Sequence, residues 1–119
     1  MAIDISKMQD ITGFIAGCVV DADSGMMLAS VGGGNGFDIE VAAAANTEVV
    51  KAKLRAMQAL GLEDAIEDIL ISLGTQYHLI RPMAKSPTTF LYVAVDRKTA
   101  NLALARSQTK AIEGGLKIS

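Results

Sequence analysis

The stretch Gly32-Gly33-Gly34-Asn35-Gly36 follows a β-rich run and leads into a helical pattern. That is the setting in which a glycine loop can cradle phosphate on the amides of a helix N-terminus. The rest of the stretch does not fit. No Gly-Lys-Ser/Thr follows, the glycine spacing is not that of a dinucleotide loop, and Asp38 and Glu40 put negative charge where the phosphate would sit. Acids there stabilise the helix dipole instead, so the glycines read as a connection that accepts positive φ. Cys18 and His78 are the single cysteine and the single histidine, so one copy can build neither a CxxC site nor a histidine-rich metal site. As a thiol and imidazole pair they would make a nucleophile. However, Cys18 lies in an apolar run and His78 in a strand pattern, and both read as packing residues. Asp21-Ala22-Asp23-Ser24-Gly25 looks like the opening of a calcium loop, but Gly32 stands at its twelfth position, where such a loop needs an acid; the chemistry is that of a turn. Glu63, Asp64, Glu67 and Asp68 crowd the approach to a strand and read as solvated. No catalytic residue, cofactor or metal ligand is expected.

The chain as a whole narrows the classes further. Its 119 residues, half of them apolar, suit a single domain over 1–119 with one real core. A net charge of −2 gives no basic field for nucleic acid, and Lys51, Lys53 and Arg55 read as a solvated helix flank. Ile15-Ala16-Gly17-Cys18 has the look of a lipoprotein cleavage box, but Asp4, Asp10, Thr12 and Gly13 interrupt the basic and apolar regions that a signal peptide needs. No run reaches the roughly 18 to 20 apolar residues of a membrane span. A soluble, cytoplasmic protein is expected, and a lone cysteine fits a reducing compartment.

These side chains must be positioned by an alternation of short elements. Asp4 is placed to cap a short helix carrying Ile5 and Met8 and ended by Gly13. Residues 14–20 and 26–31 form a hairpin through the 21–25 turn. The pattern then predicts a long helix over 37–62. Next come strands over 66–73 and 76–83, joined by the two-residue loop Gly74-Thr75. That loop fixes a register in which Ser72 faces Tyr77, Ile71 faces His78, Leu70 faces Leu79, Ile69 faces Ile80 and Asp68 faces Arg81, an opposite-charge cross-strand pair. Lys85-Ser86-Pro87 makes the next turn, and the continuously apolar run 89–96 belongs at the centre of the sheet. A helix over 99–116 closes the chain, with Thr99 as its cap and Leu102, Ala105, Thr109, Ile112 and Leu116 as its stripe. The order α-β-β-α-β-β-β-α gives an α+β fold, a five-stranded antiparallel sheet with helices on both faces.

The long helix has more apolar surface than one sheet can cover. Ile39, Ala43, Val50, Leu54 and Met57 form a bulky side, Val41, Ala45, Val49, Ala52, Ala56 and Ala59 a small-residue side, and Glu40, Thr47, Glu48, Lys51, Arg55 and Gln58 a polar face. The apolar arc spans roughly 220°, against the stripe of roughly 100° that suffices for one core. A second copy of the same helix about a two-fold axis would cover the remainder. The expectation is a homodimer.

The order of elements, with GFIAGCVVDADSGMMLA (13–29), NTEVVKAK (46–53), EDILISLGTQYHLIRPM (67–83) and FLYVAVDRKTANLALAR (90–106), resembles the Roadblock/LC7 domain family, in particular its small bacterial MglB-like members. None of these strings is a catalytic signature. The resemblance implies a profilin-like sheet with its second and third strands at the edges. It also implies a homodimer in which long helices pack together and third strands pair across the axis. Val41, Ala45, Val49, Ala52 and Ala56, with Asp68, Leu70 and Ile71, would form that interface, and Lys51, Arg55 and Gln58 would rim the surface offered to a partner. The partner class it implies is a small Ras-like GTPase of the MglA kind, whose GTP hydrolysis such dimers stimulate; the alternative is a dynein-light-chain-like scaffold subunit without GTPase regulation.

Overall fold

The structure, a computed structural model, describes residues 3–34 and 36–116. A 3-10 turn, Ser6–Asp10, opens it. The elements that follow are β1 (Phe14–Asp21), β2 (Met26–Gly32), α1 (Ile39–Ala59), β3 (Ile69–Ser72), β4 (Gln76–Met83), β5 (Ser86–Asp96) and α2 (Leu102–Gly115). The strands make one antiparallel sheet in the order β2-β1-β5-β4-β3, so the expected α+β architecture stands, with β2 and β3 at its edges. The apolar run of β5 lies at the centre, where Phe90, Leu91, Tyr92, Val93, Ala94 and Val95 are all buried. Strand alternation sends Phe90, Tyr92 and Ala94 to the face covered by α1 and Leu91, Val93 and Val95 to the face covered by α2 and the opening turn. Met8 of that turn is fully buried and lies so close over β1 that a Cβ at Gly17 would collide with its sulfur.

Several local expectations give way. The first element is 3-10 rather than α; Asp4 accepts from the Ser6 amide at 2.9 Å, but the backbone bonds close over three residues, from the Met8 amide to the Ile5 carbonyl and from the Ile11 amide to the Met8 carbonyl. α1 is shorter than 37–62 because Asp38 caps it, its carboxylate accepting from the Glu40 and Val41 amides at 3.1 and 3.2 Å. The chain leaves the helix at Gly61, whose φ is +68°. The cap of α2 is Asn101, which accepts from the Leu104 amide at 3.0 Å, whereas Thr99 donates to Asp96. The β4–β5 turn falls at residues 84–85, so Ser86 and Pro87 already belong to β5.

The third strand shows the clearest difference. Its pairing with β4 follows the hairpin register, with Ser72, Ile71, Leu70 and Ile69 opposite Tyr77, His78, Leu79 and Ile80. It covers only Ile69–Ser72, not 66–73. The hairpin closes with the Leu73 amide donating to the Gln76 carbonyl at 2.8 Å. Hydrogen-bonded pairs in an antiparallel ladder alternate, so they continue at Ile71/His78 and Ile69/Ile80, and the next would be Glu67/Pro82. Proline has no amide to give. The expected Asp68–Arg81 pair is also absent. Asp68 is taken by Arg106 of α2, at 2.9 and 3.0 Å, and Arg81 by Glu113 of α2, at 2.9 Å. Asp68 is therefore not a solvated carboxylate; its side chain is only 13% exposed.

Candidate functional site

The inner side of α1 carries Ala43, Asn46, Thr47, Val50 and Met57 into the structure. Thr47 was expected on the polar face, yet it is buried; its hydroxyl donates to the Ala43 carbonyl at 2.8 Å, so nothing polar is stranded. Asn46 is buried likewise, its amide donating to the Ala42 carbonyl at 2.7 Å. The outer side is open. Val41 is 62% exposed and Val49 36%, and Ala45, Ala52 and Ala56 in line with them are exposed as well. These five residues form one continuous apolar stripe along the helix.

Leu54, assigned from periodicity to the core side, is 46% exposed, and Leu60 and Leu62 beyond the helix end are 70% and 53% exposed. A shallow groove of about 450 Å3 opens here, with Lys51, Arg55, Gln58 and Asp64 supplying polar groups around Leu54 and Leu62. The three polar helix residues singled out from the sequence therefore share one groove. The leucines beside them were missed, because a 3.6-residue period assigns Leu54 to a face but says nothing of how fully that face is covered.

The edge residues divide. Ile71 points to the α1 side and packs against that cluster. Leu70, one residue earlier and so on the opposite face, is 38% exposed, and Asp68 is held by Arg106. These three share an edge, but not a face.

The residues that could have done chemistry are committed elsewhere. The Gly33 amide donates to the Ile15 carbonyl at 3.1 Å, and the Gly34 amide to the Phe37 carbonyl at 3.1 Å. Asp38 occupies two amides of the helix start. Gly32, Gly33, Gly34 and Gly36 all have positive φ, which is what the connection uses them for. Cys18 is buried within β1, where desolvation pushes its thiol up to about 12. His78 lies edge-on between Phe37 and Tyr92, its Nε2 2.7 Å from Gln76 Oε1 and its Nδ1 3.0 Å from the Tyr92 hydroxyl. Burial holds the imidazole below its ordinary value and the Tyr92 hydroxyl above its own. A tyrosine that keeps its proton donates to Nδ1, which leaves the hydrogen on Nε2 for Gln76. Among the described residues no group of three or more histidine, cysteine or acidic side chains is placed to hold a metal ion, and no helix is long and apolar enough to cross a membrane.

No protein-family profile and no curated protein matches the sequence. Solved structures do match its shape. MglB of Myxococcus xanthus superposes with a TM-score of 0.78 at 18% identity, over 91% of this chain and 77% of that one. A Roadblock/LC7 domain from Streptomyces avermitilis gives 0.78 at 13% identity, over 92% and 87%. An MglB described in a tetrameric arrangement gives 0.77 at 14% identity, over 92% and 79%. With α1 and α2 on opposite faces of the β2-β1-β5-β4-β3 sheet, the chain has the Roadblock/LC7 fold.

Proposed function

We propose that this chain is a non-catalytic homodimeric regulatory module that binds a small Ras-like GTPase through the surface around its paired α1 helices. The observation that carries the reading is the outer face of α1, where Val41, Ala45, Val49, Ala52 and Ala56 form an apolar stripe exposed to solvent. An apolar stripe this long on one element marks an interaction surface. Its small side chains let another backbone approach closely, and a two-fold axis sets the stripe against itself. The likeness in fold to MglB, one example of which is described as tetrameric, supports self-association. The groove of Lys51, Arg55 and Gln58 flanks the stripe and supplies the polar rim that interfaces carry.

The GTPase class follows from the sequence resemblance, and selectivity for the GTP form would come from contact with switch segments that the γ-phosphate orders. The module itself need not touch nucleotide, which agrees with the Gly33 and Gly34 amides being occupied. The test is a pull-down with a small GTPase from the same cell, loaded with GDP or with a non-hydrolysable GTP analogue. Preferential capture of the GTP form is expected. Equal capture of both forms would remove regulation and leave a scaffold subunit, and no capture would remove the partner class.

A further inference from the structure

Beside β4, where β3 would continue past Ile69, the sheet has a gap. Ile66 and Glu67 stand on one side of it and Pro82 and Met83 on the other, with Val50 and Leu54 of α1 closing a cavity of about 360 Å3. Carrying the observed register further would set Asp68 opposite Arg81, Glu67 opposite Pro82 and Ile66 opposite Met83. Two features keep the segment off. Pro82 can accept from the Glu67 amide but cannot return the bond, and both charged residues that would face each other are held by α2, Asp68 by Arg106 and Arg81 by Glu113.

Neither restraint is strong enough to exclude closure. The Arg106 side chain is 49% exposed, and Arg81 gives Glu113 only its Nε, so its terminal nitrogens can take Asp68 while that nearly buried pair stays made. One of the two Glu67/Pro82 bonds remains available. Closure would bring Ile66 against Met83 and form the opposite-charge pair across the strands. The segment thus has two sets of ion-pair partners within reach of the same side chains, with a cavity where the second arrangement would form. This is the layout of a two-state element.

We propose that residues 64–68 are a strap that closes onto β4, exchanging the Asp68–Arg106 pair for Asp68–Arg81, and that the closed form is the one whose β3 edge pairs with a second copy. Closure lengthens β3 from its present four residues by three, and a longer run of free backbone groups is a better template for edge pairing. The second half of this proposal rests on the dimer reading above.

Amide hydrogen exchange read by NMR tests it at the Glu67 amide, which has a cross-strand acceptor only when the strap is closed. Arg106→Gln releases Asp68 from α2 at a half-exposed position, and Pro82→Val restores the missing donor. In dilute solution the Glu67 amide is expected to slow by about tenfold or more in either variant relative to the native chain. In the native chain it is expected to slow as concentration rises and copies pair. Exchange at the free-chain rate in Arg106→Gln, in Pro82→Val and in concentrated native protein would overturn the strap. Sedimentation of the same samples separates the two readings: protection that rises while the mass stays that of one chain would overturn the pairing role and leave the strap.

Discussion

His78 joins three elements through one ring. β4 carries it, β5 supplies the Tyr92 hydroxyl on Nδ1, and Phe37, just before the cap of α1, meets it edge-on. Burial alone lowers its pKa, so near neutral pH the ring is uncharged and in the single tautomer that satisfies both neighbours. The linkage has a definite sign. The unfolded chain takes up the histidine proton near pH 6.5 while the folded chain resists it, so the unfolded state binds more protons and stability rises with pH in that window. The contribution is fully present above about pH 6.5 and is lost as pH falls toward and through the lowered folded value. Urea denaturation at pH 7 and pH 5 is therefore expected to show a larger loss for the native chain than for His78→Gln. Equal losses would mean that the ring is not linked to folding. The sequence singled out this residue as packing, which it is, but not its polar partners, since Tyr92 is 14 positions away along the chain and meets it only once β5 lies beside β4.

At the scale of elements, what could be read from the chain depended on how local the cause was. The β3–β4 register was legible because a two-residue loop leaves little freedom. The central place of β5 was legible because a strand covered on both faces cannot alternate. The length of β3 was not legible from β propensity. It is set by Pro82 across the ladder and by Arg106 and Glu113 from the far end of the sequence, so a run that reads as strand over 66–73 begins only at Ile69. The cap of α2 shows the same limit, as Thr99 and Asn101 both have capping chemistry and only the path of the chain after β5 decides between them. α1 was legible as a helix with two apolar sides, and its exposed side can be tested by charge. Val49→Arg adds a charge to the stripe without entering the monomer core. If the stripe meets its own copy, pairing would cost several kcal/mol, the order expected for an ion buried without a partner. Sedimentation is expected to show dimers for the native chain and monomers for the variant, with unchanged circular dichroism. A native chain that sediments as a monomer at all accessible concentrations would rule the interface out.

For the whole molecule, dimer formation and partner binding use adjoining parts of α1 and can be separated. The apolar stripe would be consumed in the dimer, whereas Lys51, Arg55 and Gln58 line a groove on the polar flank of the helix, where a two-fold mate need not cover them. Two cations there stand out on a chain of net charge −2. Charged rim groups act chiefly by steering encounter, an effect that reaches about 10 Å at 0.1 M salt and shrinks as salt is raised. Replacing both cations by Lys51→Glu and Arg55→Glu is therefore expected to slow association with the GTP-loaded partner by roughly tenfold at low salt and by less at high salt, with a smaller change in dissociation. Stopped-flow fluorescence at two ionic strengths reads this directly, while sedimentation of the same variant is expected to show an intact dimer. The paired outcome assigns the groove to the partner and the stripe to the second copy. Loss of the dimer in the charge variant would merge the two surfaces into one, and unchanged association at both salt concentrations would move the partner away from α1.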